Sequence, residues 1–178
     1  MKNRMSINKK LLVLSNSFLL SACASTSFKD FDIKNLAKSE AGKIYELVVV
    51  SQLESVKALM VKLYRKNPRE LRKAAAGVNL DSRLAQVFSN DGPHWIHPEL
   101  EGKASITALE LAFNENFTGD RVFAFTVGLG SMIIESYDNK YEFFVLDHIS
   151  SQKIYASARN IEIANWRLNN KRLPNNGL

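Results

Sequence analysis

The stretch VFAFTVGLGSMII, residues 122–134, decides the fold because it is the most apolar part of the chain after residue 22. Asp120 and Arg121 precede it, and Glu135 follows it. A run of 13 residues is too short to cross the hydrocarbon core of a bilayer as a helix, which takes about 20 residues. We therefore predict a buried helix at the centre of a helical domain.

An alternative interpretation of the same region is a pair of β-strands. Gly128 and Gly130 would form the turn between them, since glycine is disfavoured inside helices. A third strand would then follow at Tyr141–Leu146, after a turn at Asp138-Asn139-Lys140 that either interpretation requires. The choice between helix and strand for residues 122–146 stays open here, with helix preferred.

Ser39–Lys66 is predicted to form a long amphipathic helix. Its apolar residues recur at intervals of four, three, four and three positions: Val49, Leu53, Val56, Met60 and Leu63. These intervals match the period of an α-helix. The stripe suits either the domain core or a partner helix, and we assign it to the core.

Start and stop signals predict two shorter helices next. Asn67-Pro68-Arg69-Glu70 has the residues of a capping box with proline at the first helical position, and Gly77 is suited to end that helix. Asn79 or Asp81 can open the following helix. Its apolar face would consist of Leu80, Leu84, Val87 and Phe88.

Two further helices complete the predicted domain. The first begins at Ser105, with helical spacing at Ile106, Leu109, Phe113 and Phe117. The last is capped by Ser150 or Ser151 and ends near Lys171-Arg172, with Ile154, Ala158, Ile161 and Leu168 facing inward. The sequence thus predicts one mainly α domain of five or six helices over residues 39–178, with one small β-hairpin as an optional addition.

Two segments carry candidate functional residues. His94, His97 and Glu99 lie close together in sequence and have the side chains that bind metal ions, although Pro93 and Pro98 argue against a continuous helix there. The last helix contains Arg159, Trp166 and Arg167, residue types that often anchor protein interfaces. We predict a partner interface on that helix and treat the histidine loop as a weaker candidate for metal binding.

The beginning of the chain has the parts of an export signal. Residues 1–10 include four basic and no acidic residues, Leu11–Leu20 is mostly apolar, and small residues follow. Leu20-Ser21-Ala22-Cys23 resembles the lipobox of bacterial lipoproteins. The resemblance implies that residues 1–22 are a signal peptide removed by signal peptidase II, and that Cys23 carries the lipid. Residues 23–38 would then be a lipidated tether that attaches the domain to the membrane.

This interpretation constrains chemistry and location. Cys23 is the single cysteine, so its lipidation leaves no thiol for catalysis or for an internal disulfide. Ala24 is not an inner-membrane retention signal, so the resemblance implies an outer-membrane protein that faces the periplasm. The first 22 residues hold four of the 24 basic residues and none of the 18 acidic ones, which leaves 20 bases against 18 acids. That near balance argues against nucleic-acid binding.

The sequence therefore favours a non-catalytic envelope lipoprotein, a binding or assembly module that needs no cofactor and contacts an envelope protein partner. The alternative is a small envelope hydrolase or metal-binding protein that uses His94, His97 and Glu99. The catalytic motifs for a nucleophile elbow, a dinucleotide loop or a P-loop are not present.

Overall fold

The computed structural model describes residues 40–89 and 92–170. Six α-helices occur there, with one two-stranded antiparallel hairpin and one 3-10 turn, which confirms the predicted fold class. The helices are α1 (Glu40–Lys66), α2 (Pro68–Leu71), α3 (Leu80–Val87), α4 (Ser105–Ala112), α5 (Arg121–Ser136) and α6 (Ser151–Asn170). The strands are β1 (Phe88–Ser89) and β2 (Gly92–Pro93), and the 3-10 turn is Pro98–Leu100.

Helix α5 is the centre of the core, and every one of its residues except Glu135 is buried. It starts at Asp120, whose side chain accepts a hydrogen bond from the Phe123 amide at 2.9 Å. The hydroxyls of Thr126 and Ser131 bond to carbonyls one turn earlier, so burying them leaves no unpaired polar group. The helical interpretation of residues 122–134 is thus confirmed.

The alternative strand pair is wrong, because Gly128 and Gly130 lie inside helix α5 and not in a turn. A Cβ atom on Gly128 would lie 2.6 Å from the Leu109 amide nitrogen and 2.9 Å from the Ser105 carbonyl oxygen. Glycine is present because α4 packs directly on the α5 backbone, and the chain does not turn there. Residues 141–146 likewise form a loop instead of a third strand, and the hairpin lies earlier, at β1 and β2.

Helix α1 buries the predicted stripe with one change at its end. Val49, Leu53, Val56 and Met60 are buried as expected, but the stripe continues to Tyr64, and Leu63 is only half-buried. Tyr64 lies four residues after Met60, so it keeps the helical period.

Helix α2 is shorter than predicted, and its predicted capping residues bond elsewhere. The Asn67 side chain donates to the Leu63 carbonyl and caps nothing, so the predicted capping box is wrong. Glu70 accepts from the Arg121 amide at 2.7 Å and from Lys73. The helix ends at Leu71, well before Gly77.

The ends of the later helices also differ from the prediction. Asn79 opens α3 with a capping box to Ser82, as expected for one of the two proposed caps. Helix α4 stops at Ala112, before the predicted Phe113 and Phe117, where the Arg121 guanidinium bonds to the carbonyls of the following loop.

Helix α6 is the most exposed of the long helices. Only Ser157 and Ala164 are fully buried in it. Of the residues expected to face inward, Ile154, Ile161 and Leu168 are half-buried and pack against the core, whereas Ala158 is exposed, which corrects that assignment. The predicted end at Lys171-Arg172 lies outside the described residues.

Helices α1 and α5 are antiparallel, which gives the helical bundle two ends. At the end we call proximal, the Phe143 amide beyond α5 donates to Glu46 near the start of α1. At the distal end, Tyr64 near the end of α1 bonds to Asp120 at the start of α5. Helix α6 starts at the proximal end, where Lys153 pairs with Asp138, and finishes at the distal end.

Candidate functional site

A buried charged cluster lies at the distal end, centred on Arg83 of α3. The Arg83 side chain is 0% exposed and forms two parallel hydrogen bonds of 2.8 Å with the carboxylate of Glu99. A third bond of 3.3 Å reaches Asp120 Oδ2, and the guanidinium lies 4.0 Å from the centre of the Phe123 ring. Bidentate geometry and stacking are the arrangements in which arginine pairs most strongly.

Asp120 completes this cluster by joining three elements. Its Oδ2 accepts from the Tyr64 hydroxyl at 2.6 Å, and its Oδ1 caps α5. Burial raises the pKa of Tyr64 well above its ordinary value, and the neighbouring Asp120 carboxylate raises it further. Burial also raises the pKa of Asp120, against the opposing hydrogen bonds from Tyr64 and Phe123. Tyr64 therefore stays protonated and serves as a donor, not as a base or nucleophile.

The cluster has the chemistry of a structural cross-link. Hydrogen bonds from Arg83 hold the pKa of Glu99 below its usual range, although burial acts in the opposite direction. The charges face one another, and Asp120 and Arg83 are closed off from solvent. Among the described side chains that are not exposed, Arg83 Nε is one of the few buried polar atoms without a partner. The arrangement connects α1, α3, the 3-10 turn and α5.

The structure does not bring the three candidate metal ligands together. His97 is buried, its Nε2 donates to the His94 carbonyl at 2.8 Å, and its ring packs 4.8 Å from the Phe123 ring. Burial lowers the pKa of His97. His94 is exposed and Glu99 is engaged by Arg83. In residues 40–89 and 92–170, no group of three His, Cys, Asp or Glu side chains could hold a metal ion.

The candidate interface on α6 does come together as a surface. Arg159 and Trp166 line one cavity of about 380 Å³ with Glu162 and Ile163. The Trp166 side chain is 64% exposed. Arg159 forms a 2.6 Å ion pair with Glu162.

Arg167, the third predicted residue, lines an adjoining groove. That groove has a volume of about 160 Å³ and runs between α6 and α4, past Ile106 and Phe113. The guanidinium of Arg167 lies 5.6 Å from the centre of the Phe113 ring. A third cavity of about 200 Å³ continues along α6 toward the proximal end and includes Lys153. We call the part formed by Arg159, Glu162, Ile163, Trp166 and Arg167 the α6 surface.

Comparisons with known proteins identify no relative. No protein-family model matches this sequence, and no curated protein or solved structure is similar to it at a meaningful level. None of the helices in the described part of the chain is long and apolar enough to cross a lipid bilayer. Cys23 and the rest of the lipobox lie outside the described residues.

Sequence reasoning missed the charged cluster. Arg83 lies between Leu80 and Val87 on the face of α3 that was assigned to the core. A charged residue on that face was the available indication of a buried charge. Its partner Asp120 is 37 residues away, and nothing local indicates that pairing.

Proposed function

We propose that this protein is a lipoprotein of the bacterial cell envelope, attached to the outer membrane through a lipid on Cys23 and facing the periplasm. The support is the lipobox resemblance of Leu20-Ser21-Ala22-Cys23, together with the basic and apolar segments before it. The near balance of charge after residue 22 also fits, since the excess of basic residues belongs mostly to the export signal.

We further propose that the domain is a non-catalytic binding or assembly module and that the α6 surface binds its protein partner. The observation that carries this proposal is Trp166, which is 64% exposed beside Arg159 in a surface cavity. A tryptophan next to arginine is a frequent centre of binding energy in interfaces. A helix with only two fully buried residues also leaves most of its surface available for a partner.

The chemistry of the surface indicates what the partner presents. Arg167 donates no side-chain hydrogen bond to another described residue; its contact there is the Phe113 ring. Its planar guanidinium can therefore donate two parallel hydrogen bonds to a carboxylate. The adjacent apolar lining, Ile106 and Leu109, suits an aliphatic or aromatic side chain. The proposed partner is an envelope protein that places an acidic residue beside an apolar one.

Photo-crosslinking in intact cells tests the binding surface. A photoreactive amino acid in place of Trp166 should capture one discrete protein, and Arg167→Glu in the same chain should reduce that capture. The matched control is the photoreactive residue at Ile96, which is 68% exposed in the loop after β2. Equal capture from both positions, or no capture from Trp166, would contradict the proposal.

Metabolic labelling with a palmitate analogue tests the anchor separately. The wild-type chain should incorporate the label, and Cys23→Ser should not, because the thiolate of Cys23 is the lipid acceptor. Equal incorporation by the two chains would refute the lipoprotein assignment.

A further inference from the structure

A closed turn at the proximal end presents two apolar side chains to solvent. The Asp147 amide donates to the Phe144 carbonyl at 3.0 Å, and the Phe144 amide donates to Asp147 Oδ2 at 2.8 Å. The other Asp147 oxygen pairs with Lys140. Val145 and Leu146 occupy the two central positions of this turn, with 60% and 95% of their surface exposed.

This composition is unusual for a turn. Central turn positions are normally occupied by Gly, Pro, Asn, Asp or Ser, because those residues favour the backbone geometry or bond to it. Here the flanking Asp147 supplies the bonds that close the turn. The side chains of Val145 and Leu146 take no part in the hydrogen bonds that close the turn. They are therefore available to contact another apolar surface.

More apolar side chains are exposed at the same end of the bundle. Ile44 and Leu47, in the first turns of α1, are 60% and 71% exposed. The turn is connected to that part of α1, because the Phe143 amide donates to Glu46 at 3.0 Å and the Phe143 ring lies 5.8 Å from the Tyr45 ring.

The occupant that these observations favour is a lipid bilayer. If Cys23 is lipidated, as proposed above, the 16 residues 24–39 connect the membrane to the start of α1. Even at full extension, 16 residues reach no farther than about 55 Å, so the start of α1 at the proximal end stays within that distance of the bilayer. Two nearby carboxylates are paired, Asp147 with Lys140 and Asp138 with Lys153, which reduces the penalty for their contact with the interface, while Glu142 is exposed to solvent.

We propose that Val145 and Leu146 insert into the interfacial region of the membrane and fix the orientation of the domain. The start of α1 then lies toward the bilayer, and Trp166 and Arg167 of the α6 surface lie at the distal end, away from it. Helix α5 separates the two ends by about 24 Å at 1.5 Å per residue. This inference rests on the proposed lipid anchor at Cys23.

The lipidated protein permits a direct test, because its single native cysteine is blocked when it carries lipid. Leu146→Cys and, as the matched control, Trp166→Cys are purified from membranes, labelled with an environment-sensitive thiol fluorophore and reconstituted in vesicles of phosphatidylethanolamine and phosphatidylglycerol. Both positions are exposed, so neither substitution disturbs the core. The probe at position 146 should be blue-shifted by the apolar interface and quenched when the lipid acyl chains carry nitroxide groups, and the probe at position 166 should show neither effect.

The outcomes separate this inference from the anchor. If mass spectrometry finds one fluorophore per chain, Cys23 is blocked and the lipid anchor is supported. The absence of quenching at position 146 in that protein would overturn membrane insertion. Equal quenching at both positions would overturn the proposed orientation. A blue shift at position 146 that increases with protein concentration, without quenching by nitroxide lipid, would mean that a second copy covers the turn, which also overturns membrane insertion. Two fluorophores per chain would show that Cys23 is free, and both proposals would then fail.

Discussion

Replacing Arg83 with methionine removes the cation from the buried cluster while keeping a side chain of similar length. In the folded protein, Asp120 would lose its 3.3 Å contact with the guanidinium and retain only the Tyr64 hydroxyl and the Phe123 amide. The Asp120 side chain is 2% exposed, so water cannot take the place of the guanidinium. Removing one member of a buried ion pair typically costs about 3–5 kcal/mol of folding free energy.

The expected loss lies at the lower end of that range, about 3 kcal/mol, because two neutral donors remain on Asp120. Glu99 adds little, since 41% of its side chain is exposed and water can solvate it. A loss of about 3 kcal/mol is a large part of the 5–15 kcal/mol that stabilises an ordinary domain. Urea unfolding of residues 24–178, followed by far-UV circular dichroism, measures it.

A double-mutant cycle combines Arg83→Met with Asp120→Asn. The asparagine can still cap α5 but carries no negative charge. If the lost stability comes from an unpaired carboxylate, the double variant should be more stable than Arg83→Met alone. The pH dependence should agree. Without Arg83, the folded-state pKa of Asp120 rises further above its unfolded value, so the extra loss is present at neutral pH and disappears as the pH falls toward about 4.

Two results would refute this reasoning. A loss below about 1 kcal/mol for Arg83→Met would show that the guanidinium does not compensate the carboxylate. Additive losses in the double variant, with no change between pH 7 and about 4, would show that the effect comes from packing against Phe123 and not from charge.

Three further predictions follow from other contacts. Gly128→Ala should destabilise the domain by about 1–3 kcal/mol, because its Cβ would meet the α4 backbone, whereas Gly130→Ala should cost less because its Cβ meets the Trp95 ring, which can move; thermal unfolding compares them. The lowered pKa of Glu99 means that its contribution to stability is present above its unfolded pKa and is lost as the pH falls through the folded value. Glu99→Gln should therefore flatten the acid limb of a stability–pH curve. Chelation with EDTA should leave the melting temperature unchanged, since His94 is exposed and Glu99 is already bound to Arg83.

Each of these has a result that would contradict it. Equal losses for the two glycine variants would mean that helix packing does not explain Gly128. An unchanged acid limb in Glu99→Gln would assign acid sensitivity to other carboxyls. A lower melting temperature with EDTA, restored by zinc, would revive the metal-binding alternative.

The sequence was sufficient for the fold class where a local pattern carried the information. The α1 stripe, the Asn79 cap and the apolar length of residues 122–134 each predicted a helix that the structure contains. The glycines of α5 were ambiguous because their physical reason, the close approach of α4, exists only in the folded protein. Helix ends were less predictable, since Asn67 and Glu70 bond to tertiary partners in place of the helix start.

The candidate site residues also differ in how far local sequence could predict them. Arg159 and Trp166 were predicted from residue type and helical position, which are both local properties, and the structure places them in one cavity, while their role in an interface stays a prediction. Glu99 was grouped with the histidines on sequence proximity, but its partner is Arg83, 16 residues earlier. A charged residue in a core-facing position is a usable signal only when its distant partners are also known.

The charged cluster also limits when the domain can fold. Tyr64 and Asp120 are 56 positions apart, so the first three helices alone lack the acceptor to which the Tyr64 hydroxyl donates. While Asp120 is still missing from a nascent chain, Arg83 lacks its buried carboxylate partner, and burying the arginine in that state is unfavourable. The first three helices should therefore complete their packing around Arg83 only once α5 has formed.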